Sequence, residues 1–255
     1  MAWTYEMSSQ IVYRTTDGGV AFYFLDSKYG WLELMSGGHS QSGELFHTED
    51  GGMHWFEVSG YGTNRPNQLP FGGSNYFRDT VHGWTGRSSD QWGNYPDNLW
   101  LVKTRDGGKT WFHQNLPFPE DCKSNWKFIH APQFFDTKNG VLPVTFSHPK
   151  NAFMLYITED GGETWKQTKM LDNIGDGYAM AVTFKDRNHG WAFGGDRSKL
   201  YKTTDGGTSW AEITPNIYLT NTSQIQFVTD KIGFLLTNNN HLYKTIDGGE
   251  NWVQI

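Results

Sequence analysis

Apolar and polar positions along the chain fall in short alternating runs rather than at the 3.6-residue spacing of a helix. Ala179-Met-Ala-Val-Thr-Phe184 and Leu242-Tyr-Lys-Thr245 are typical: rich in β-branched and aromatic side chains and bounded by Asp, Asn and Gly. Such segments predict strands closed by tight turns, and no stretch predicts a helix. The longest strictly apolar run, Val20 to Leu25, is far below the roughly 20 residues a membrane-spanning helix requires, so no transmembrane segment is expected.

The pattern repeats. Thr48 to Trp55, Thr104 to Trp111, Thr158 to Trp165, Thr203 to Trp210 and Thr245 to Trp252 all read Thr-x-Asp-Gly-Gly-x-x-Trp. A second element, Phe-x-Asp/Thr-x-x-x-Gly-Trp/Phe/Val, precedes each one: Phe24 to Trp31, Phe77 to Trp84, Phe134 to Val141, Phe184 to Trp191 and Phe227 to Phe234. The Phe positions recur every 43 to 57 residues, the size of a four-stranded propeller blade.

Each unit reads as strand A ending at the Phe, a turn through Asp-x-x-x-Gly, strand B from the first Trp, strand C, the Asp-Gly-Gly turn, and strand D from the second Trp. One such sheet cannot bury both faces, so the copies must pack face to face. The expected fold is an all-β β-propeller, one domain over 1–255, with five full four-stranded antiparallel blades (19–60, 70–115, 128–170, 178–215 and 222–255). Six blades is the next reading. Residues 1–18 form a partial or ring-closing blade: Tyr13-Arg-Thr-Thr-Asp-Gly-Gly19 nearly duplicates Tyr201 to Gly207, but Phe24 follows too soon for both a strand D and a strand A.

Composition agrees. Of 255 residues, 30 are Gly and 16% are aromatic, while 19% are charged and the net charge is -6. This disfavours a general nucleic-acid binder. Cys122 is the only cysteine, which excludes an intramolecular disulfide. The start, Met-Ala-Trp-Thr-Tyr-Glu, lacks the basic and apolar stretches of a secretory signal, leaving either a cytosolic protein or one whose signal was removed.

The five Asp-Gly-Gly motifs closely resemble the Asp box of BNR-repeat β-propellers. In combination with the Phe-x-Asp-x-x-x-Gly-Trp element they are most similar in style to the photosystem II assembly/stability factor type and its non-photosynthetic bacterial relatives. The resemblance implies a non-catalytic assembly or binding protein, in the extracellular space or cell envelope, and structural rather than catalytic Asp50, Asp106, Asp160, Asp205 and Asp247. An Asp at a hairpin turn accepts backbone N–H bonds two residues on and can be joined by the Thr hydroxyl, which fixes the turn without a ligand. No metal or cofactor is expected. The arginine-rich partner patch of the photosynthetic members is missing, which argues against a photosystem role. The Phe/Tyr-Arg-Ile-Pro start of sialidases is missing too, which argues against sialidase activity.

In this plan the A–B and C–D turns share one end of each blade, and the B–C and D–A connections share the other. Those connections are longest in the first three blades, and long loops on a rigid scaffold are where binding residues concentrate. Arg65, Arg87, Trp92, Tyr95, Trp126 and His130 are the candidate ligand contacts, mixing flat aromatics with hydrogen-bonding groups as a glycan or an extended peptide requires. Trp92 and Trp126 could instead close loops over the core, and His130 could line the channel or pack on an inner strand. The expected function is a non-enzymatic module binding a protein or carbohydrate. The alternatives are a glycoside hydrolase using Asp90, Asp97, Glu120 or Asp121, and an architectural domain of a larger surface protein.

Overall fold

The computed structural model describes residues 3–7, 10–14, 20–35, 43–59, 75–86, 101–122, 126–147, 151–172, 181–193, 198–219 and 222–255, without the side chains of the residues before 23 and of 34, 35, 43, 44, 59, 126, 181 and 223. Regular structure among them is β, apart from one 3-10 turn at Glu120–Cys122. A hairpin of β1 (Trp3–Met7) and β2 (Gln10–Arg14) comes first.

Five antiparallel sheets follow. The first contains β3 (Val20–Phe24), β4 (Gly30–Met35), β5 (Gly43–Thr48) and β6 (Phe56–Ser59), and the second β7 (Tyr76–Phe77), β8 (Gly83–Gly86), β9 (Leu101–Thr104) and β10 (Phe112–Gln114). The third contains β11 (Trp126–Ile129), β12 (Gln133–Phe134), β13 (Gly140–Ser147), β14 (Ala152–Thr158), β15 (Lys166–Gln167) and β16 (Leu171–Asp172). The fourth has β17 (Ala181–Phe184), β18 (Gly190–Phe193), β19 (Leu200–Thr203) and β20 (Ala211–Ile213). The fifth has β21 (Thr222–Phe227), β22 (Gly233–Thr237), β23 (Leu242–Thr245) and β24 (Trp252–Gln254).

The third sheet keeps the four-stranded plan with both edge strands interrupted. β11 and β12 both pair with β13, and β15 and β16 both pair with β14. Pro132 stands in the first gap, where its missing N–H cannot continue a ladder. In the second gap Thr168 takes over both main-chain groups of Leu155: its Oγ1 accepts the Leu155 N–H at 3.2 Å and its N–H donates to the Leu155 carbonyl at 2.9 Å.

The chain divides into two compact units, Met1–Pro117 with Ile129–Ala131, and Phe118–Phe128 with Pro132–Ile255. In the first, Trp31, Leu45, Phe77, Val102 and Trp111 form a buried core. In the second, Val141, Phe153, Leu155, Phe184, Ala192 and Tyr201 form one cluster, and Trp191, Phe193, Leu200, Leu219, Ile225, Phe227, Leu235 and Trp252 another.

The repeated residues explain this packing. Within each sheet the strand-A Phe meets the box Trp: Phe24–Trp55, Phe77–Trp111, Phe134–Trp165, Phe184–Trp210 and Phe227–Trp252, with centroids 5.9 to 6.3 Å apart. The same ring lies over the Gly that opens strand B, and a Cβ on Gly190 would sit 2.6 Å from the Phe184 ring. Between neighbouring sheets the strand-B Trp stacks on the next Phe. Trp31 lies 3.8 Å from Phe77, and Trp191 3.8 Å from Phe227, with ring planes 5° apart in both pairs. The indoles then donate to the first box glycine of that next sheet, Trp31 to Gly107 at 2.9 Å and Trp191 to Gly248 at 3.2 Å.

Candidate functional site

Each sheet has an Asp-box end, where its A–B and C–D turns lie. At the Asp-box end the first box glycine donates its N–H to a carbonyl of its own A–B turn: Gly51 to Lys28, Gly107 to Val81, Gly161 to Lys138, Gly206 to Asn188 and Gly248 to Lys231, all at 2.8 to 3.0 Å. The A–B and C–D turns of each sheet are therefore joined side by side. The first four box Gly-Gly pairs and Gly248-Gly249 have positive φ, the conformation glycine takes without Cβ strain.

The box carboxylates are held differently from the expected N–H bond two residues on. In every box Oδ1 accepts the Thr hydroxyl two residues back and the N–H four residues on, as Asp160 does from Thr158 at 2.8 Å and Thr164 at 2.9 Å. The N–H two residues on belongs to the second glycine, and it donates to the Thr Oγ1 instead. The bond two residues on does occur in the A–B turns, where Asp26, Asp79, Asp136 and Asp186 each cap two N–H groups.

One residue of the box went unread in the sequence. The side chain before the Trp donates to the second carboxylate oxygen: Thr110 to Asp106, Thr164 to Asp160, Ser209 to Asp205 and Asn251 to Asp247, with His54 Nδ1 2.6 Å from Asp50 Oδ2. Its type varies, and a varying position carries no motif signal unless all five copies are compared for hydrogen-bonding capacity. Partial burial pushes the Asp160 carboxyl up, but the Thr164 hydroxyl and N–H and the Thr158 hydroxyl outweigh it and hold it at about 2. The His54 N–H and ring bring Asp50 to about 2 as well. Each box carboxylate thus accepts hydrogen bonds from donors of its own turn on both oxygens.

The fifth sheet shows the rule by exception. Thr229 stands where the other A–B turns have Asp, and its Oγ1 accepts from Lys231 and Ile232 N–H. The adjacent Asp230 is released to reach the fourth sheet, where it pairs with Lys185, itself 3.1 Å from Asp186.

Of the residues singled out in the connecting segments, Arg65, Arg87, Trp92 and Tyr95 lie outside the described residues, as do Asp90 and Asp97. Trp126 opens β11, and its side chain lies outside them as well. His130 falls in the break between β11 and β12 rather than on a strand, half-buried, and burial brings its imidazole down to about 4. Glu120 and Asp121 are exposed neighbours on the 3-10 turn. That connection is packed as well as exposed. Phe118 is edge-on to Phe146 and Tyr156 at 5.9 and 6.5 Å, the Lys127 ammonium lies 5.1 Å over Phe118, and buried Cys122 Sγ is 3.6 Å from Met170 Sδ.

The five sheets and their boxes define the class: an all-β β-propeller built from Asp-box repeats. The BNR/Asp-box repeat family is matched at residues 156–167, from the end of β14 through the third box. No curated protein matches in sequence. Among solved structures, a GH74 enzyme from Niastella koreensis is similar at TM-score 0.59 and 16% identity, covering 99% of this chain and 44% of that one. A Trypanosoma rangeli sialidase in complex with 2,3-difluorosialic acid is similar at 0.57 and 14%, covering 99% and 50%. YCF48 from Cyanidioschyzon merolae is similar at 0.47 and 14%, covering 100% and 88%. The chain thus spans half or less of the length of the two enzymes, and at these identities the likeness to those two is one of fold.

Proposed function

We propose that the chain is a non-enzymatic binding module of the cell envelope or extracellular space that presents the B–C and D–A connections to a protein or glycan. The observation that carries this reading is the self-contained hydrogen bonding of the Asp-box end. At the Asp-box end all five box carboxylates accept hydrogen bonds from their own turn, which supports assigning recognition to the connections at the opposite end. The described arginines support it: Arg78 pairs with Asp79 at 3.0 Å, Arg187 with Glu159 at 2.6 Å, and Arg105 lies 5.1 Å over Phe112. Each is engaged within the fold. A glycan array and a pull-down from the source organism test the proposal. Trp92→Ala and Trp126→Ala should weaken binding at least about tenfold with the melting temperature unchanged, as for aromatic anchors of an interface. Binding that survives both substitutions rejects these connections as the binding surface.

A further inference from the structure

Glu33 is a carboxylic acid in a place where a charge is hard to keep. It lies on β4, two residues beyond Trp31 and on the same face, the face that packs against the second sheet. Only 6% of it is exposed. Across the ladders it is opposite Ala21 and Leu45, neither of which can pair with it. The Asn75 amide, just before β7, donates from Nδ2 to Glu33 Oε2 at 2.7 Å. Asn75 Oδ1, on the same amide, is buried and has no hydrogen-bond partner among the described residues.

A buried carbonyl oxygen without a donor costs about 1–3 kcal/mol and calls for an explanation. An ionised Glu33 cannot provide one, because a carboxylate only accepts. A protonated Glu33 has the missing O–H. Carboxylic acid and primary amide are complementary, each with one donor and one acceptor side by side.

We propose that Glu33 and Asn75 form a proton-binding site between the first two sheets, in which the uncharged carboxyl and the amide join through two hydrogen bonds, Nδ2–H to Oε2 and Oε1–H to Oδ1. Ionisation removes the second bond and leaves a charge in an apolar junction. Burial alone pushes Glu33 up to about 7, which agrees with this assignment. The titratable groups on the same face of the neighbouring elements are Tyr23 of β3, His47 of β5 and Tyr76 of β7. Burial and Tyr76 push Tyr23 up, and burial lowers His47. Neither brings a charge to Glu33 at neutral pH. The ordinary value for Glu33 is 4.5, so the folded state holds the proton over a range where the unfolded chain releases it. The stability it adds is complete below about 4.5, falls as pH rises, and is gone above about 7.

Titration of the intact protein with ¹³C-labelled glutamate carboxyls tests this, Glu33 being assigned by the resonance that Glu33→Gln removes or that Asn75→Ala selectively shifts. An inflection near 7 is expected, with the Asn75 side-chain amide resonances moving in step. Ionisation below about 5, or an inflection near 7 that leaves the Asn75 amide unmoved, overturns the proposal. In denaturant unfolding, the wild-type equilibrium constant for folding should fall about 200-fold relative to that of Glu33→Gln between about pH 4 and pH 8. A ratio that does not change with pH also overturns it.

Discussion

At the scale of single residues, two positions in each repeat do more than the motif suggests. The residue before the box Trp completes the carboxylate, so Thr164→Val should leave Asp160 Oδ2 without its hydroxyl donor. The Asp160 carboxyl should then move up from about 2, and stability should fall by about 1 kcal/mol, the usual net worth of a hydrogen bond. A carboxyl NMR titration and a urea melt measure the two effects. Gly190 has a different task, since its missing Cβ makes room for Phe184. Gly190→Ala should cost about 1–3 kcal/mol, because the Phe184 ring is buried against Trp210 and has to shift. An unchanged denaturation midpoint would show that the ring has space to move.

At the scale of strands and sheets, the cross-strand register links residues that the sequence keeps apart. The strand-B residue and its strand-C partner are Trp31 and His47, Trp84 and Lys103, Val141 and Ile157, Trp191 and Lys202, and Phe234 and Lys244. Where strand B has an aromatic ring, strand C places a cation or an imidazole over it: Lys103 and Lys202 each lie 5.3 Å from a Trp centroid, Lys244 5.9 Å from Phe234, and His47 stacks on Trp31. Where strand B has Val141, strand C has Ile157, because an ammonium buried over an aliphatic side chain lacks the attraction that offsets its desolvation. Trp191→Val and Lys202→Ile should each destabilise. The double variant should recover about 0.5–2 kcal/mol relative to the sum of the single losses, as residues in contact do. Strict additivity in that cycle would mean that the pair is coincidental.

The same sheets show which parts of the structure were legible in the sequence. The turns were, because Asp-Gly-Gly chemistry is local and glycine marks the positive φ directly. The stacking of Trp191 on Phe227 follows from the period, since both belong to the repeated element. The Lys–Trp pairing was present in the letters but needed the register, which no single strand provides. The split edges of the third sheet depend on Pro132 and on Thr168 substituting its side chain for a ladder bond, both deviations from the repeat. The candidate binding residues had no such support. Arg65, Arg87, Trp92 and Tyr95 occur in non-repeating connections, where neither period nor register constrains a side chain, and the one whose side chain is described, His130, falls between strands rather than on one.

At the scale of the whole molecule, the turn carboxylates should give the protein a characteristic acid response. Asp50, Asp160 and Asp247 are held at about 2, and Asp26, Asp79, Asp106, Asp136, Asp186, Asp205 and Asp230 are also lowered. For a lowered carboxyl the folded state releases its proton at a pH where the unfolded chain still holds it. The stability from each is therefore complete above about 4 and is lost as pH falls towards 2. Most of these groups are solvent-exposed, so each contributes little, but ten of them titrate in the same direction. Stability measured by denaturant between pH 5 and pH 2 should fall continuously, and added salt should change the slope only weakly, because apart from Asp230, which pairs with Lys185 of the fourth sheet, the bonds are mostly to local N–H and hydroxyl donors. Replacing the third box carboxylate, Asp160→Asn, should flatten the curve by one group's share and leave the shape of the rest intact. An acid limb that salt abolishes would point instead to long-range charge repulsion and remove the boxes from the explanation.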